Sequence, residues 1–327
     1  PTGPRAIGAV FEIAGASSQV LLDLGELDAL ADSSDAALAN AGQVGAQVKV
    51  RVGNAWLIAS IRTARLDLDT AAALVDLLPD TDPVAWLRRG EGVVGWGVAA
   101  QVRTRGADRF ADADDWWSRL TARAVVRSDL AEPGTGLICF GTFAFADEPG
   151  DSHLVVPQVV VGRRGDNAWI TTASTTGLDL LDVAVAEAEP PEAPRGVRFA
   201  DGALDGDTWM KAVADAVDRI VSGDLEKVVL ARDLFATADE PIDVRWPLRR
   251  LTELYPTCWT FHVAGLFGAT PELLVRRERG LVTSRVLAGT IRRTGDDGRD
   301  LALAATLARS SKDLAEHEYA VRSVAES

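Results

Sequence analysis

Two alternating runs, QVKVRV (Gln47 to Val52) and AWLIASIRTARL (Ala55 to Leu66), meet at Gly53-Asn54, and no other stretch constrains the chain as much. A period of two turns one side of a strand toward a core, and a Gly-Asn pair between two such runs supplies the positive φ that a tight hairpin turn demands. IGAVFEI (Ile7 to Ile13) and QVLLDL (Gln19 to Leu24), parted by AGASS, read as further strands. By strand spacing, residues 1–66 form a small β-barrel-like module.

From about Leu66 the character of the chain changes. A helix is expected over Leu68 to Leu78, ending near Pro79, and the Trp- and Gly-rich DPVAWLRRGEGVVGWGVA follows. Next come a helix around Asp114 to Val126 and strands in GLICFGTFAFAD and HLVVPQVVVGRRGDNAWITTA. The Pro/Glu/Ala stretch from Ala186 to Arg195 reads as an exposed connector. In the helix expected from Asp207 to Ser222, Trp209, Val213, Ala216, Val217, Ile220 and Val221 fall at helical spacing and predict a core face. Three strands are expected after Gly223: EKVVLARDLFA (Glu226 to Ala236), then PELLVRRE and LVTSRVLAGTIRR, which turn at Arg279-Gly280. Helix text runs from Arg299 to Ser327. Two domains follow, residues 1–66 and 67–327.

Charge and composition narrow the function. A net charge of −14 repels nucleic acid and anionic membranes, so neither is expected as a partner. It also repels small anionic substrates, so an enzyme acting on a carboxylate needs a local cation, either a basic side chain or a metal. No apolar run is long enough to span a bilayer, and Pro1 to Ala6 carries no apolar signal core, which makes cytoplasm the expected location. Cys139 and Cys258 lie in apolar strand-like text and are expected as buried free thiols. The three histidines, His153, His262 and His317, are spread too widely for zinc-ligand spacing. The chain has no GxxxxGK[ST] phosphate loop.

Four short segments carry chemistry: GDLEKVVLAR (Gly223 to Arg232), FGATPELLVRR (Phe267 to Arg277), VLAGTIRR (Val286 to Arg293) and KDLAEHEYAV (Lys312 to Val321). Lys227 shares a strand face with Val229 and Ala231. Apolar surroundings disfavour the charged form of a lysine, which suits a general base, although a lysine snorkelling from a strand reads the same way. Glu272 follows Gly268-Ala269-Thr270-Pro271, where glycine admits close backbone approach and proline stiffens the start of a strand. Gly289, between Ala288 and Thr290, has no Cβ and lets a ligand approach, unless it marks a plain strand bulge. Ser310 and Asp313 resemble a capping box. Asp313, Glu316 and Ala320 then share a helix face, and two carboxylates there suit a hard cation such as Mg2+, or form a solvated acidic face.

Taken in this order, the four segments resemble the chorismate-binding family: isochorismate synthases, salicylate synthases, anthranilate synthase large subunits and aminodeoxychorismate synthases. The resemblance covers about Asp69 to Ser327. RRGEGVVGWGVA, CFGTFAFAD and YPTCWTFHV are similar to the isochorismate branch, and Lys227 sits where the anthranilate branch differs. The resemblance implies an α+β fold of two packed, mostly antiparallel sheets with flanking helices. It implies Mg2+-dependent conversion of chorismate to isochorismate, for menaquinone or siderophore synthesis. Lys227 would be the base that activates water, and Glu272 the acid that protonates the departing hydroxyl. Backbone at Ala288, Gly289 and Thr290 would face a substrate carboxylate. Glu316 would be a metal ligand, with Asp313 acting through water. A monomer is expected. Salicylate synthase and aminodeoxychorismate synthase share Lys227-type and Glu272-type residues and remain rivals.

In two respects the chain departs from that family. The family continues past the point where this chain stops, supplying a second carboxylate pair, an Arg, a Tyr and closing strands, so the fold is expected to be incomplete at the C-terminus. The stretch VGAQVKVRVGNAWLIASIRT instead resembles the N-terminal barrel module of HerA-type translocation ATPases. An inert fragment serving only as an assembly module is the reading from a different functional class.

Overall fold

The computed structural model describes residues 8–14, 17–22, 51–52, 55–56, 60–69, 73–148, 150–174, 183, 185–278, 280–285, 291–292 and 294–325. These divide into two compact units, residues 189–247 and the remainder.

The larger unit begins with two antiparallel pairs. β1 (Gly8–Ala14) pairs with β2 (Ser17–Leu22), and β3 (Arg51–Val52) with β4 (Ala55–Trp56), placing Val52 opposite Ala55 across the Gly-Asn junction. β5 (Ser60–Arg65), expected to end the N-terminal module, belongs elsewhere: it pairs with β13 (Asn167–Ser174) inside the main sheet. Cross-strand hydrogen bonds to β13 decide this, and no local pattern reports them.

The main sheet has eight strands in the order β17-β16-β6-β7-β12-β13-β5-β9. Their ranges are β6 (Val84–Arg88), β7 (Glu91–Trp96), β9 (Val125–Ser128), β12 (Val159–Arg164), β16 (Trp259–Val263) and β17 (Leu266–Thr270), with β5 and β13 as given. All pairings are antiparallel except β5–β9. A second, three-stranded sheet contains β8 (Ala100–Arg105), β10 (Phe140–Thr142) and β11 (Asp151–Val156). Phe140 packs with Val84 and Val263 of the main sheet. α1 (Arg109–Thr121) adds Trp116, Trp117 and Leu120 around Ile61, Val156 and Ala173. Val159, Val160 and Val161 of β12 are all buried, so both faces of that strand are covered. The expected α+β arrangement of packed, mostly antiparallel sheets is thus present.

Among the described residues, helix text over Leu68 to Leu78 yields one 3-10 turn, Leu74–Leu77. The carbonyl of Asp69 accepts from Arg163 Nη2 at 2.9 Å. The helix expected from Asp114 begins earlier, at Arg109, and its expected end at Val126 is strand β9. Arg109 is 7 % exposed and donates to the carbonyls of Gly106, Ala144 and Phe145 and to Asp147 Oδ1, stitching the helix start to the 143–148 loop. None of the described helices is long and apolar enough to cross a membrane.

Residues 189–247 form a unit in which β14 (Arg198–Asp201) pairs with β15 (Leu234–Thr237) beside α2 (Gly206–Val221). The predicted apolar face of α2 is there by spacing, but no residue of the helix is buried, and Val217 and Val221 are 52 % and 81 % exposed. The core-face expectation is therefore corrected: Trp209 and Ala216 are only half-buried, and Val213, Val217, Ile220 and Val221 are exposed. α2 is held by its ends. Asp205 accepts from Thr208 N at 2.7 Å, and that hydrogen bond lowers the Asp205 carboxyl below its ordinary value. At the other end Gly223 (φ +84°) closes a Schellman motif, with the Gly223 amide on the Ile220 carbonyl and the Asp224 amide on that of Arg219.

Across β12 and β13, Gly162 lies opposite Trp169, whose indole is 1 % exposed and donates to the Gly134 carbonyl at 3.1 Å. A Cβ at Gly162 would lie 2.3 Å from that ring. Gly162→Ala should therefore push the indole out of place and destabilise the protein by about 1–3 kcal/mol, the usual cost of overpacking. Urea unfolding followed by Trp fluorescence checks this, and an unchanged midpoint would mean that the ring moves freely.

Candidate functional site

Lys227 lies in the 189–247 unit, in an extended segment between α2 and β15. The strand expected over Glu226 to Ala236 is reduced to Leu234–Thr237, because only there does β14 offer a partner. Val229 is 82 % exposed, so the apolar surroundings expected for Lys227 are not formed by its strand-mates. The lysine itself is half-buried. Its segment is anchored on both sides, by the Schellman turn before it and by Arg232 and Asp233 after it. Arg232 pairs with Asp201, and the Asp233 carboxylate accepts from the Ala203 amide.

Glu272 lies in the larger unit, exposed, between β17 and β18 (Leu273–Glu278). Its amide donates to Thr270 Oγ1 at 3.2 Å, which fixes the turn around Pro271. β18 pairs with β19 (Leu281–Arg285), Glu278 opposite Leu281, as the Arg279-Gly280 turn text requires. Ala288, Gly289 and Thr290 lie outside the described residues.

Asp313 and Glu316 occupy α5 (Ser311–Ala325), separated at Ser310 from α4 (Asp297–Arg309). The helix text from Arg299 onward thus forms two helices, the second starting where the Ser310 cap was expected. Ser310 Oγ accepts from the Asp313 amide at 3.3 Å, which is the predicted cap. Asp313, Glu316 and Ala320 are all half-buried on one face. The Lys312 ammonium stands 3.8 Å from Glu316 Oε1 and is itself 82 % exposed, a pairing weak enough to yield to a cation. Mg2+ takes one or two carboxylates and completes its octahedron with water, so this donor pair fits a hard cation. Among the described residues no group of three or more His, Cys, Asp or Glu side chains could hold a metal.

The structure therefore brings Asp313 and Glu316 together. Lys227 and Glu272 belong to different units, and each is held by its own local turn. Cys139 and Cys258 are free and half-buried; burial pushes the Cys139 thiol up to about 12, so it is inert as a nucleophile. His262 is buried with Nδ1 2.6 Å from the Pro83 carbonyl, and burial lowers it from its ordinary value. Sequence reasoning missed an arginine-rich end of the main sheet, where Arg88, Arg89, Arg163 and Arg164 line a recess of about 490 Å³. Its signal was the repetition of Arg-Arg-Gly in LRRGEG and GRRGDN.

The family model described as "Chorismate binding enzyme" matches residues 58–327. The isochorismate synthase MenF of Bacillus subtilis is 28 % identical over 258 residues, 70 % of this chain and 55 % of its own length. The salicylate biosynthesis isochorismate synthase of Pseudomonas aeruginosa is 29 % identical over 254 residues, 70 % and 52 % of the two chains. The chain thus spans about half the length of these curated relatives. Among solved structures, MenF, the menaquinone-specific isochorismate synthase from Escherichia coli, superposes with a TM-score of 0.62 at 21 % identity, covering 82 % of this chain and 63 % of that one. At that identity the likeness shows the fold.

The cap on α5 generates a test. Ser310→Ala should cost about 0.5–2 kcal/mol locally and fray the first turn. Hydrogen exchange at Asp313 to Glu316 should accelerate several-fold while exchange in the main sheet stays unchanged. Uniform acceleration would show that the helix does not open independently.

Proposed function

The chain belongs to the chorismate-binding enzyme family, and from that premise we propose that it carries the catalytic acid and base of an isochorismate synthase. The observation that carries the proposal is the match over residues 58–327, within which Lys227, Glu272 and Glu316 each sit at a position that a local turn or cap holds fixed. The substrate is chorismate, taken up by a cytoplasmic monomer.

Isomerisation adds one hydroxyl to the ring and removes another. Water is a poor nucleophile and hydroxide a poor leaving group near neutral pH, so a base is needed on one face of the ring and an acid on the other. Lys227 takes a proton from water as the oxygen bonds to the ring. Glu272 gives a proton to the departing hydroxyl, which leaves as water. The ring double bonds shift between the two carbons, and no net atoms are gained or lost. The half-buried setting of Lys227 restricts competing water around its amine. Exposure of Glu272 next to Pro271 leaves its carboxyl free to meet a ligand. When bound to Glu316, with Asp313 acting through water, Mg2+ would anchor the substrate's ring carboxylate and offset its charge.

The test uses a chain extended through the C-terminal length of its relatives, with chorismate and Mg2+ supplied. Lys227→Ala and Glu272→Gln should each lower isochorismate formation by ~10²- to 10⁴-fold, the range for a positioned acid or base. Melting temperature should barely move, since neither side chain is part of a packed core. Near-normal turnover by Lys227→Ala would overturn the assignment of the base. Formation of salicylate and pyruvate by the parent chain would replace isochorismate synthase with the salicylate branch.

A further inference from the structure

The register of three hairpins gathers four arginines at one end of the main sheet. In the β6–β7 hairpin Arg88 pairs with Glu91, leaving Arg89-Gly90 as a two-residue turn with φ of +56° and +76°. In the β12–β13 hairpin Arg164 pairs with Asn167, and Gly165 opens the turn at φ +55°. Gly92 of β7 lies opposite Arg163 of β12, so the two Arg-Arg-Gly turns are neighbours. The Gly165 amide donates to Glu91 Oε1 at 2.9 Å and ties one turn to the other. β16 delivers Trp259 to the same end, since Thr260 lies opposite Leu87.

The side chains are arranged around a concavity. The Arg88 guanidinium lies 4.0 Å from the centre of the Trp259 ring, and its Nε donates to the Thr257 carbonyl at 2.8 Å. Arg163 donates to the Asp69 carbonyl. Among the described residues, the side chains of Arg89 and Arg164 make no hydrogen bond or ion pair. The recess of about 490 Å³ that all four line is also lined by Glu91 and by Arg276, which pairs with Glu278. A smaller recess of about 230 Å³ adjoins it, lined by Arg88, Arg89 and Arg163 together with Leu74, Val75 and Leu87. Burial, and then the charges of Arg89 and Arg285, lower the Arg88 guanidinium from its ordinary value. Like charges held this close repel, and turn arginines in a chain of net charge −14 could readily sit beside carboxylates instead.

We propose that this end of the sheet is a binding site for a small polyanion, whose phosphate or carboxylate oxygens are taken by Arg88, Arg89 and Arg164. A guanidinium presents paired N–H groups in a plane that matches either oxyanion, and three of them around one recess favour a ligand with two or more anionic groups. The Trp259 and Trp86 rings flank the arginines and offer an apolar surface to the ligand body. Solvated arginines on separate turns account for single exposed guanidinium groups. They do not account for the arginines of two neighbouring hairpins lining one concavity.

Calorimetric titration of the full chain at low ionic strength, with tripolyphosphate in one arm and citrate in the other, tests the site and identifies the preferred oxyanion. Saturable binding of at least one probe is expected. The double variant Arg89→Gly and Arg164→Ala should weaken it by tenfold or more, while Arg105→Ala, an exposed arginine paired with Asp151 on β8, should leave it unchanged. Glycine suits the positive φ at position 89, so loss of binding with an unchanged melting temperature reports the missing guanidinium. Absence of saturable binding for both probes would overturn the proposal. Equal weakening by Arg105→Ala would also overturn it, by showing only a diffuse surface charge.

Discussion

The indole of Trp169, laid across Gly162 and bonded to the Gly134 carbonyl, is the contact on which the larger unit depends. It fills the space that any side chain at position 162 would claim, and it fastens the 132–136 loop to the sheet. The same loop is held a second time from the next strand. The Gly136 amide donates to Thr63 Oγ1 at 2.9 Å, and Thr63 and Thr171 hydroxyls share a 2.7 Å hydrogen bond in the buried β5–β13 ladder. Asn167 adds a third tie, to Glu132 Oε1. Polar groups this deep are tolerated because each has a partner. One consequence is positional: with β12, β13 and the 132–136 loop locked, the turns at the β12 end of the sheet have a fixed place beside those of β6 and β7.

The two units are stabilised by different means. β12 is buried on both faces and contributes three consecutive valines to the core, so the sheet around it is held by apolar area. In the 189–247 unit α2 buries no residue. Its order rests on local devices: an Asp205 cap, a Gly223 Schellman turn and the Arg232–Asp201 pair. Caps of this kind contribute about 1 kcal/mol each, enough to set where a helix begins and ends but much less than a packed face provides.

What could be read from the sequence follows the same division. Local devices are visible in local text, so the strand pairings on either side of Gly-Asn and of Arg279-Gly280 and the Ser310 cap were all expected and all occur. Expectations failed where a distant partner decides. VVLA after Lys227 has strong strand propensity, yet a strand needs a neighbour, and β14 reaches only Leu234 to Thr237. β5 reads as the tail of an N-terminal module until its pairing with β13 is known.

The candidate site and the arginine recess fall on opposite sides of that line, and this explains why one was legible and the other was not. Lys227, Glu272 and the Asp313–Glu316 pair sit respectively after a helix stop, at a strand start and in a capped first turn. Each is a place where a few consecutive residues set the backbone and where a side chain can be presented without disturbing a ladder. Such places accept chemistry with little dependence on the rest of the fold, and short motifs therefore announce them. The arginines stand on two turns more than seventy residues apart in the chain, as the Gly165–Glu91 hydrogen bond between those turns records. Neither Arg-Arg-Gly segment predicts anything beyond a hairpin turn. Their convergence comes from the β7–β12 register, and a shift of one residue in that pairing would turn Arg163 to the opposite face of the sheet. The Trp169 lock therefore acts on charge as well as on packing. By fixing the register of β12 it keeps four cations at one end of an acidic protein, where their mutual repulsion favours any anion small enough to enter.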